Sequence, residues 1–278
     1  MKKSTLLLLL SLYFLNLGKS QEAVYYQGSG YICPTESWKL VFYDEFEGTE
    51  LDESKWYTFF PYGPSSQPDQ CAFCRTHTNA DSPDENQVYL DKNVTIKDGL
   101  LSLTAMDEKA TWYGRTTDFT SGMIHSKQKF TNYSKYEIRC KIPKGSFFPA
   151  FWAIGGNSEI DVFEMGYGNL DLFKVGIIKW DGNNGDNGTG AWIETTDLSN
   201  DFHVYSVEYA PFFIVFYLDY QEVYRIGRYL TLAGNPTSCH IAPYSIYLEN
   251  PPFPSTPASQ QVIANLAIGI GVSLKRRG

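Results

Sequence analysis

Helical periodicity is nearly absent from this chain, and that restricts its fold more than any other feature. Short runs rich in β-branched and aromatic residues recur instead, each closed by Gly, Asn, Asp or Pro. Leu40–Tyr43, Leu100–Ala105, Tyr136–Ile142, Ala150–Ile154, Phe173–Trp180, His203–Tyr209, Phe212–Asp219 and Val262–Ile268 all read as strands. Aromatic residues make up 16% of the chain against a charged fraction of only 19%, a balance suited to pleated surfaces packed on one another. Regularly spaced short strands with turns between them predict an all-β sandwich or jelly roll. No internal repeat is evident. Two polar stretches are predicted as loops: "WDGNNGDNGTGAW" (180–192), bracketed by two tryptophans, and "ENPPFPSTPASQQ" (249–261). Strand-like sequence resumes at once with Val262, so the second is a surface loop within one domain and not a linker.

Residues 1–20 stand apart from this pattern. Lys2 and Lys3 precede an apolar stretch from Leu6 to Leu15, and Gly18-Lys19-Ser20 forms a small-residue exit. That is the layout of a secretory signal peptide cleaved before Gln21; as an anchor, the apolar stretch falls short of the roughly 20 residues a span needs. The expectation is a secreted, monomeric protein in which 21–278 form one domain, with no membrane association after cleavage. A formal net charge of -8 excludes the basic footprint that nucleic acid requires. Five cysteines (Cys33, Cys71, Cys74, Cys140, Cys239) in an exported chain predict structural disulfides with one thiol left over. Cys71 and Cys74 form a lone CxxC, lacking the second pair or clustered histidines of a zinc site. Asn93, Asn132 and Asn187 open glycosylation sequons.

One strand-like run carries charge where a buried strand should not. "GGNSEIDVFEMGYG" (155–168) holds Glu159, Asp161 and Glu164 among Ile160, Val162 and Phe163. Alternation along a strand puts Glu159 and Asp161 on one face and sends Glu164 to the apolar one. An unpaired carboxylate buried there costs several kcal/mol at least. A β-bulge at Val162-Phe163 removes the conflict, because two residues then count as one and Glu164 rejoins its partners. The two glutamates are then about 13 Å apart at their Cα atoms, and on a concave sheet their side chains lean together over Asp161. The separation of about 5–5.5 Å that a retaining glycosidase needs between nucleophile and acid/base becomes reachable. Asp161 between them is expected to raise a neighbour's proton affinity by like-charge repulsion.

"SEIDVFE" resembles the E-[ILV]-D-x-x-E signature, in its bulge-containing form, of glycoside hydrolase family 16, the laminarinase and lichenase group. The likeness continues through "WKLVFYDEFEGTELDESKW" (38–56), "ENQVYLDKNVTIKDGLLSLTA" (85–105), "SGMIHSKQKFTNYSKYEIRCKIP" (121–143) and "FFPAFWAIGG" (147–156). "FHVYSVEYAPFFIVFYLDYQEV" (202–223) and "VIANLAIG" (262–269) complete it. The resemblance implies a β-jelly-roll sandwich of two curved antiparallel sheets with a concave catalytic cleft. It implies Glu159 as nucleophile, Asp161 as its electrostatic helper and Glu164 as acid/base. It further implies that Glu137, Arg139 and Asn265 contact sugar hydroxyls, and that Trp152 is a stacking platform. Trp180 and Trp192 flank the polar loop as further substrate-binding candidates.

The expected activity is endo-hydrolysis of a β-1,3 or mixed β-1,3/1,4 glucan with retention. A galactan of the agar or carrageenan type is the alternative substrate, and a non-catalytic glucan-binding protein on the same fold is the alternative of another class. The polysaccharide is the expected partner, no cofactor or catalytic metal is called for, and no sequence feature locates a structural calcium. Three departures from the family pattern stand out. Lys179 replaces a histidine common near the cleft, Tyr209 and Tyr220 replace the usual Trp and Gly, and "GIGVSLKRRG" ends the chain where relatives continue into a closing strand. The missing strand is expected to leave an open sheet edge.

Overall fold

A computed structural model of the protein describes residues 24–25, 32–33, 40–61, 71–76, 86–130, 134–145, 147–155, 158–166, 168–180, 186–209, 213–227, 231–232, 235–236 and 261–267. The expected signal peptide, the loop predicted from 249 as far as 260, Cys239, Asn132 and the C-terminal residues 268–278 lie outside the described residues. No helix among the described residues is long and apolar enough to cross a membrane.

In chain order the strands are β1 (Val24–Tyr25), β2 (Ile32–Cys33), β3 (Trp56–Tyr57), β4 (Gln87–Tyr89), β5 (Val94–Lys97), β6 (Leu100–Leu103) and β7 (Met106–Trp112). There follow β8 (Arg115–Ser121), β9 (Met123–Ser126), β10 (Lys135–Cys140), β11 (Phe148–Gly155), β12 (Ser158–Met165), β13 (Leu172–Trp180) and β14 (Asp186–Glu194). The last are β15 (His203–Tyr209), β16 (Phe213–Leu218), β17 (Gln221–Gly227), β18 (Thr231–Leu232), β19 (Asn235–Pro236) and β20 (Gln261–Ala267). The chain forms two compact units, one of 1–43 with 230–240 and one of 44–229 with 241–278. Among its described residues the first holds two small antiparallel ladders, β1–β2 and β18–β19.

The second unit is the expected all-β sandwich. A seven-stranded antiparallel sheet runs β14-β13-β12-β11-β20-β9-β3, and a four-stranded one runs β10-β15-β16-β17. Two minor sheets, β4-β8-β7 with its parallel β4–β8 pair and the β5–β6 hairpin, complete the unit. Alternation decides what the two main sheets share. Phe163 of β12 and Phe173 of β13 meet Tyr205 of β15 at ring-centroid distances of 4.3 and 5.8 Å. Ile160, Val175 and Ile177 from the larger sheet and Val207, Ile214 and Phe216 from the smaller are buried. Each such side chain contributes on the order of 1.5–3 kcal/mol by leaving water.

The opposite face of the seven-stranded sheet is divided. Across its β11–β20–β9 part, Phe60 and Tyr89 cover Met123, Ala150 and Trp152 in a second buried cluster. The cover is braced. Phe60 N donates to the Cys74 carbonyl, Cys71 and Cys74 are disulfide-bonded, and Arg75 donates to the Tyr89 carbonyl and pairs with Asp91. Trp112 Nε1 donates to the carbonyls of Cys71 and Ala72, tying the same segment to β7. Cys140 is a free thiol. Across β13–β14 the face stays open, and Trp192 is 57% exposed.

Two sequence expectations change here. Leu40–Tyr43 is irregular and not a strand. Much of the stretch expected as a polar loop at 180–192 is strand: β14 pairs with all of β13, Leu172 opposite Glu194 through Trp180 opposite Asp186. Its glycines are there because the two backbones run close. A Cβ on Gly190 would overlap the Val175 carbonyl oxygen, so composition that reads as loop is the condition for pairing.

Candidate active site

β12 carries the bulge that its charges require. Asp161 lies opposite Gly176 and Glu164 opposite Lys174 on β13, so Val162 and Phe163 together face a single residue of that strand. On the other side, Trp152 opposes Asp161 and Phe151 opposes Phe163, which leaves Val162 as the extra residue. Val162 and Phe163 are both buried. The phase of the strand therefore changes between Asp161 and Glu164, and Glu159, Asp161 and Glu164 share one face.

The three acids differ in their surroundings. Asp161 is 1% exposed, and its Oδ2 has no hydrogen-bond partner. Burial first, then the charges of Glu164 and Glu159 and a hydrogen bond with Glu159, push its carboxyl well above the usual carboxylate range, with Lys174 opposing. Asp161 is the most buried of the three acids. The sequence expectation placed the raised proton affinity on a neighbour of Asp161. In the structure Asp161 is itself raised, burial being the larger cause and repulsion the second. Glu164 is flanked by Lys174, whose Nζ is 3.4 Å from Oε2.

Of the substrate-binding candidates, some share this face and some do not. Register puts Trp192, Lys174, Glu164, Ala150 and Asn265 in one row across β14, β13, β12, β11 and β20. Trp192 presents an open ring on that row. The side chains of Asn265 and Trp180 lie outside the described residues, as does that of Lys179. Trp152 does not offer an open platform: it is 5% exposed and packs with Phe60 at 6.3 Å, a core tryptophan beneath the covered half.

Glu137 and Arg139 are misplaced by the sequence reading. β10 pairs with β15 in the four-stranded sheet, where alternation turns both residues to solvent while Tyr136 points inward. Glu137 pairs with Lys135 at 3.0 Å, and the Arg139 guanidinium lies 4.5 Å from the Phe202 ring centroid. Neither lies on the face of the seven-stranded sheet that carries the three acids. The sequon at Asn93 is also closed. Asn93 is buried and its Nδ2 donates to the Thr104 carbonyl and Thr120 Oγ1, leaving no room for a glycan.

Two residues on the carboxylate face were not singled out from the sequence. Lys174 sits ten positions beyond Glu164, and only the β12–β13 register reveals their pairing. His125 of β9 lies opposite Ile263, in the row that passes through Trp152 to Asp161. It is buried against Tyr57 and Phe60, both ring nitrogens lack partners, and burial, with Lys129 adding, pulls it down to about 4. The alternation of "GMIHS" was the available signal for an inward-facing polar ring. Among the described residues no group of three or more His, Cys, Asp or Glu is arranged to hold a metal ion, so no ligand set for a structural calcium can be named.

The chain is similar to several known glucanases. Glucan endo-1,3-beta-glucosidase A1 of Niallia circulans is 31% identical over 219 residues, covering 70% of this chain and 31% of that protein. Glucan endo-1,3-beta-glucosidase of Cryptopygus antarcticus is 29% identical over 209 residues, covering 68% of this chain and 69% of that one. The chain thus spans less than a third of the length of the first. Among solved structures, LamA_E269S from Z. galactanivorans, in complex with laminaritriose and laminaritetraose, shares the fold at a TM-score of 0.62 and 24% identity, over 85% of this chain and 91% of that one. The endo-beta-1,3-glucanase from Pyrococcus furiosus does so at 0.62 and 22%, over 90% and 88%. Residues 81–248, more than half of the chain and including all of β12, match the family described as "Glycosyl hydrolases family 16". With its bulged acidic strand, its two-sheet architecture and this match in agreement, the chain belongs to glycosyl hydrolase family 16.

Proposed function

We propose that the protein is a secreted, monomeric, retaining endo-β-glucanase that cleaves β-1,3 or mixed β-1,3/1,4 glucan by double displacement. The observation that carries this reading is the bulge of β12, which delivers Glu159, Asp161 and Glu164 to one face. Glu159 attacks the anomeric carbon while Glu164 gives its proton to the glycosidic oxygen, which leaves with the electron pair of the broken bond. Water then attacks the glycosyl ester, passes a proton to Glu164 and frees Glu159. Asp161, whose carboxyl is held above the usual range, hydrogen-bonds Glu159 and orients it before attack. Every step uses side chains of the chain itself, and the polysaccharide is the partner.

The names of the relatives from Niallia circulans and Cryptopygus antarcticus support placing β-1,3 linkages first. The exposed Trp192 on the carboxylate row supports a sugar chain crossing the open half of the sheet. Replacing Glu164 with Ala tests the mechanism. Turnover of unactivated glucan is expected to fall by roughly 10²–10⁴-fold, while aryl glycosides with good leaving groups still react at the first step. Added azide then restores turnover and yields a glycosyl azide of retained configuration, read by NMR. An azide product of inverted configuration would show that the two carboxyls flank a water and would overturn the retaining reading.

A further inference from the structure

Glu164 has one charged neighbour that the carboxylate signature does not contain. Lys174 lies directly across from it on β13, with Nζ 3.4 Å from Oε2 and the two side chains 39% and 20% exposed. On the opposite side β11 presents Ala150, a methyl group with no charge or hydrogen bond to offer. The next residue of β13 on this face is Gly176, opposite Asp161, so β13 itself places no side chain between Lys174 and the buried acid. Lys174 indeed acts on Asp161 against the two glutamates. Outward from Lys174 the row ends at Trp192, whose ring lies 3.8 Å from where a Cβ on Gly166 would stand.

We propose that Lys174 is a positioning residue for the proton transfers of Glu164, holding that carboxyl over the cleft and balancing the charge left when its proton departs. The proposal rests on the double-displacement reading above. In the first step the O–H bond of Glu164 breaks, the proton joins the glycosidic oxygen, and that oxygen takes the electron pair of the bond to the anomeric carbon. Glu164 becomes an anion beside the Lys174 ammonium. In the second step water gives its proton to Glu164, its oxygen bonds to the anomeric carbon, and the ester bond to Glu159 breaks. The attraction to Lys174 is strongest only after charge develops on Glu164. It therefore lowers the barrier of the first step, in which that charge forms, without tightening substrate binding.

Lys174→Met keeps the aliphatic stem and removes the charge, and Lys174→Arg keeps the charge. On laminarin the Met variant is expected to lose on the order of 10–100-fold in kcat/KM through kcat, with KM nearly unchanged. On a dinitrophenyl β-laminaribioside, whose leaving group needs no proton, kcat/KM should be nearly that of the wild type. The Arg variant should recover most of the loss on laminarin, and all three proteins should melt within a few degrees of one another. Equal losses on both substrates, a rise in KM alone, or no loss at all would each overturn the role given to Lys174. A wild type inert on both substrates would remove the glycosidase reading itself, and this role with it.

Discussion

Burial and two neighbouring glutamates oppose the ionisation of Asp161, and that cost is part of the folding equilibrium. In the unfolded chain it titrates near the ordinary aspartate value of about 3.9; in the fold its carboxyl stays protonated well above that. Below the unfolded value both states hold the proton and the group is neutral to stability. As pH rises through the gap, the unfolded state loses its proton first, so stability falls with increasing pH. Asp161→Asn removes this term while preserving shape. It is expected to stabilise the protein at pH 7 by on the order of 1–2 kcal/mol, a few degrees in melting temperature, and to gain nothing at pH 3.5. Turnover should fall on the order of 10–100-fold. Calorimetry at the two pH values, with kinetics at pH 7, checks both. At this scale the acids were legible in the sequence because three charges in an apolar run cannot otherwise be solvated. Lys174 was not, since its partner is fixed by a pairing register that no local pattern encodes.

Single elements show where local pattern and tertiary context disagree. The β16–β17 hairpin turns on two residues, Asp219 and Tyr220, with φ of 47° and 65°, the backbone of a type I′ turn. Asp219 is anchored, accepting from Val204 N at 2.9 Å and facing His203 Nδ1 at 2.7 Å. Tyr220 is 64% exposed, and the Lys135 ammonium lies 5.9 Å from its ring centroid. A tyrosine in the left-handed region costs roughly 1–2 kcal/mol, against about 0.5 kcal/mol for an exposed cation–π contact. Allowing for the greater freedom of glycine in the unfolded chain, Tyr220→Gly is expected to stabilise by about 0.5–1 kcal/mol, seen as a higher urea midpoint with an unchanged slope. Elsewhere the same kind of signal misled. Gly188 and Gly190 made β14 look like a loop, although glycine there permits close pairing. Leu40–Tyr43 has strand composition and is nonetheless irregular.

At the scale of the molecule, the seven-stranded sheet is completed by its most C-terminal described strand. β20 lies between β11 and β9, pairing Ala150 with Asn265 on one side and Met123 with Asn265 on the other. Two long stretches of chain separate it from both neighbours, so the sheet cannot close until residues 261–267 arrive. A chain ending at residue 260 is therefore expected to lose cooperative thermal unfolding and to aggregate through the exposed edges of β9 and β11. Near-UV circular dichroism and sedimentation check this. Alternation within Val262–Ile268 showed that a strand was there. It could not show that the strand is central, because neighbours in a sheet are chosen by the whole topology. The same limit explains Glu137 and Arg139: their strand was recognised and its sheet was not.

The bulge of β12 also changes what kinds of genetic damage the site can absorb. Substituting Val162 or Phe163 by another apolar residue alters packing but keeps the count of residues between Asp161 and Glu164. Loss of one codon there would retain every acidic residue and still leave Glu164 beside its partners, because the residue that remains takes the place Val162 and Phe163 share, whereas loss of Ile160 would turn Glu159 and Asp161 to opposite faces. For this segment spacing is information in its own right, as the reading frame is for a gene. A library of single-residue deletions would thus find the strand tolerant at Val162 and among the least forgiving places in the chain at Ile160.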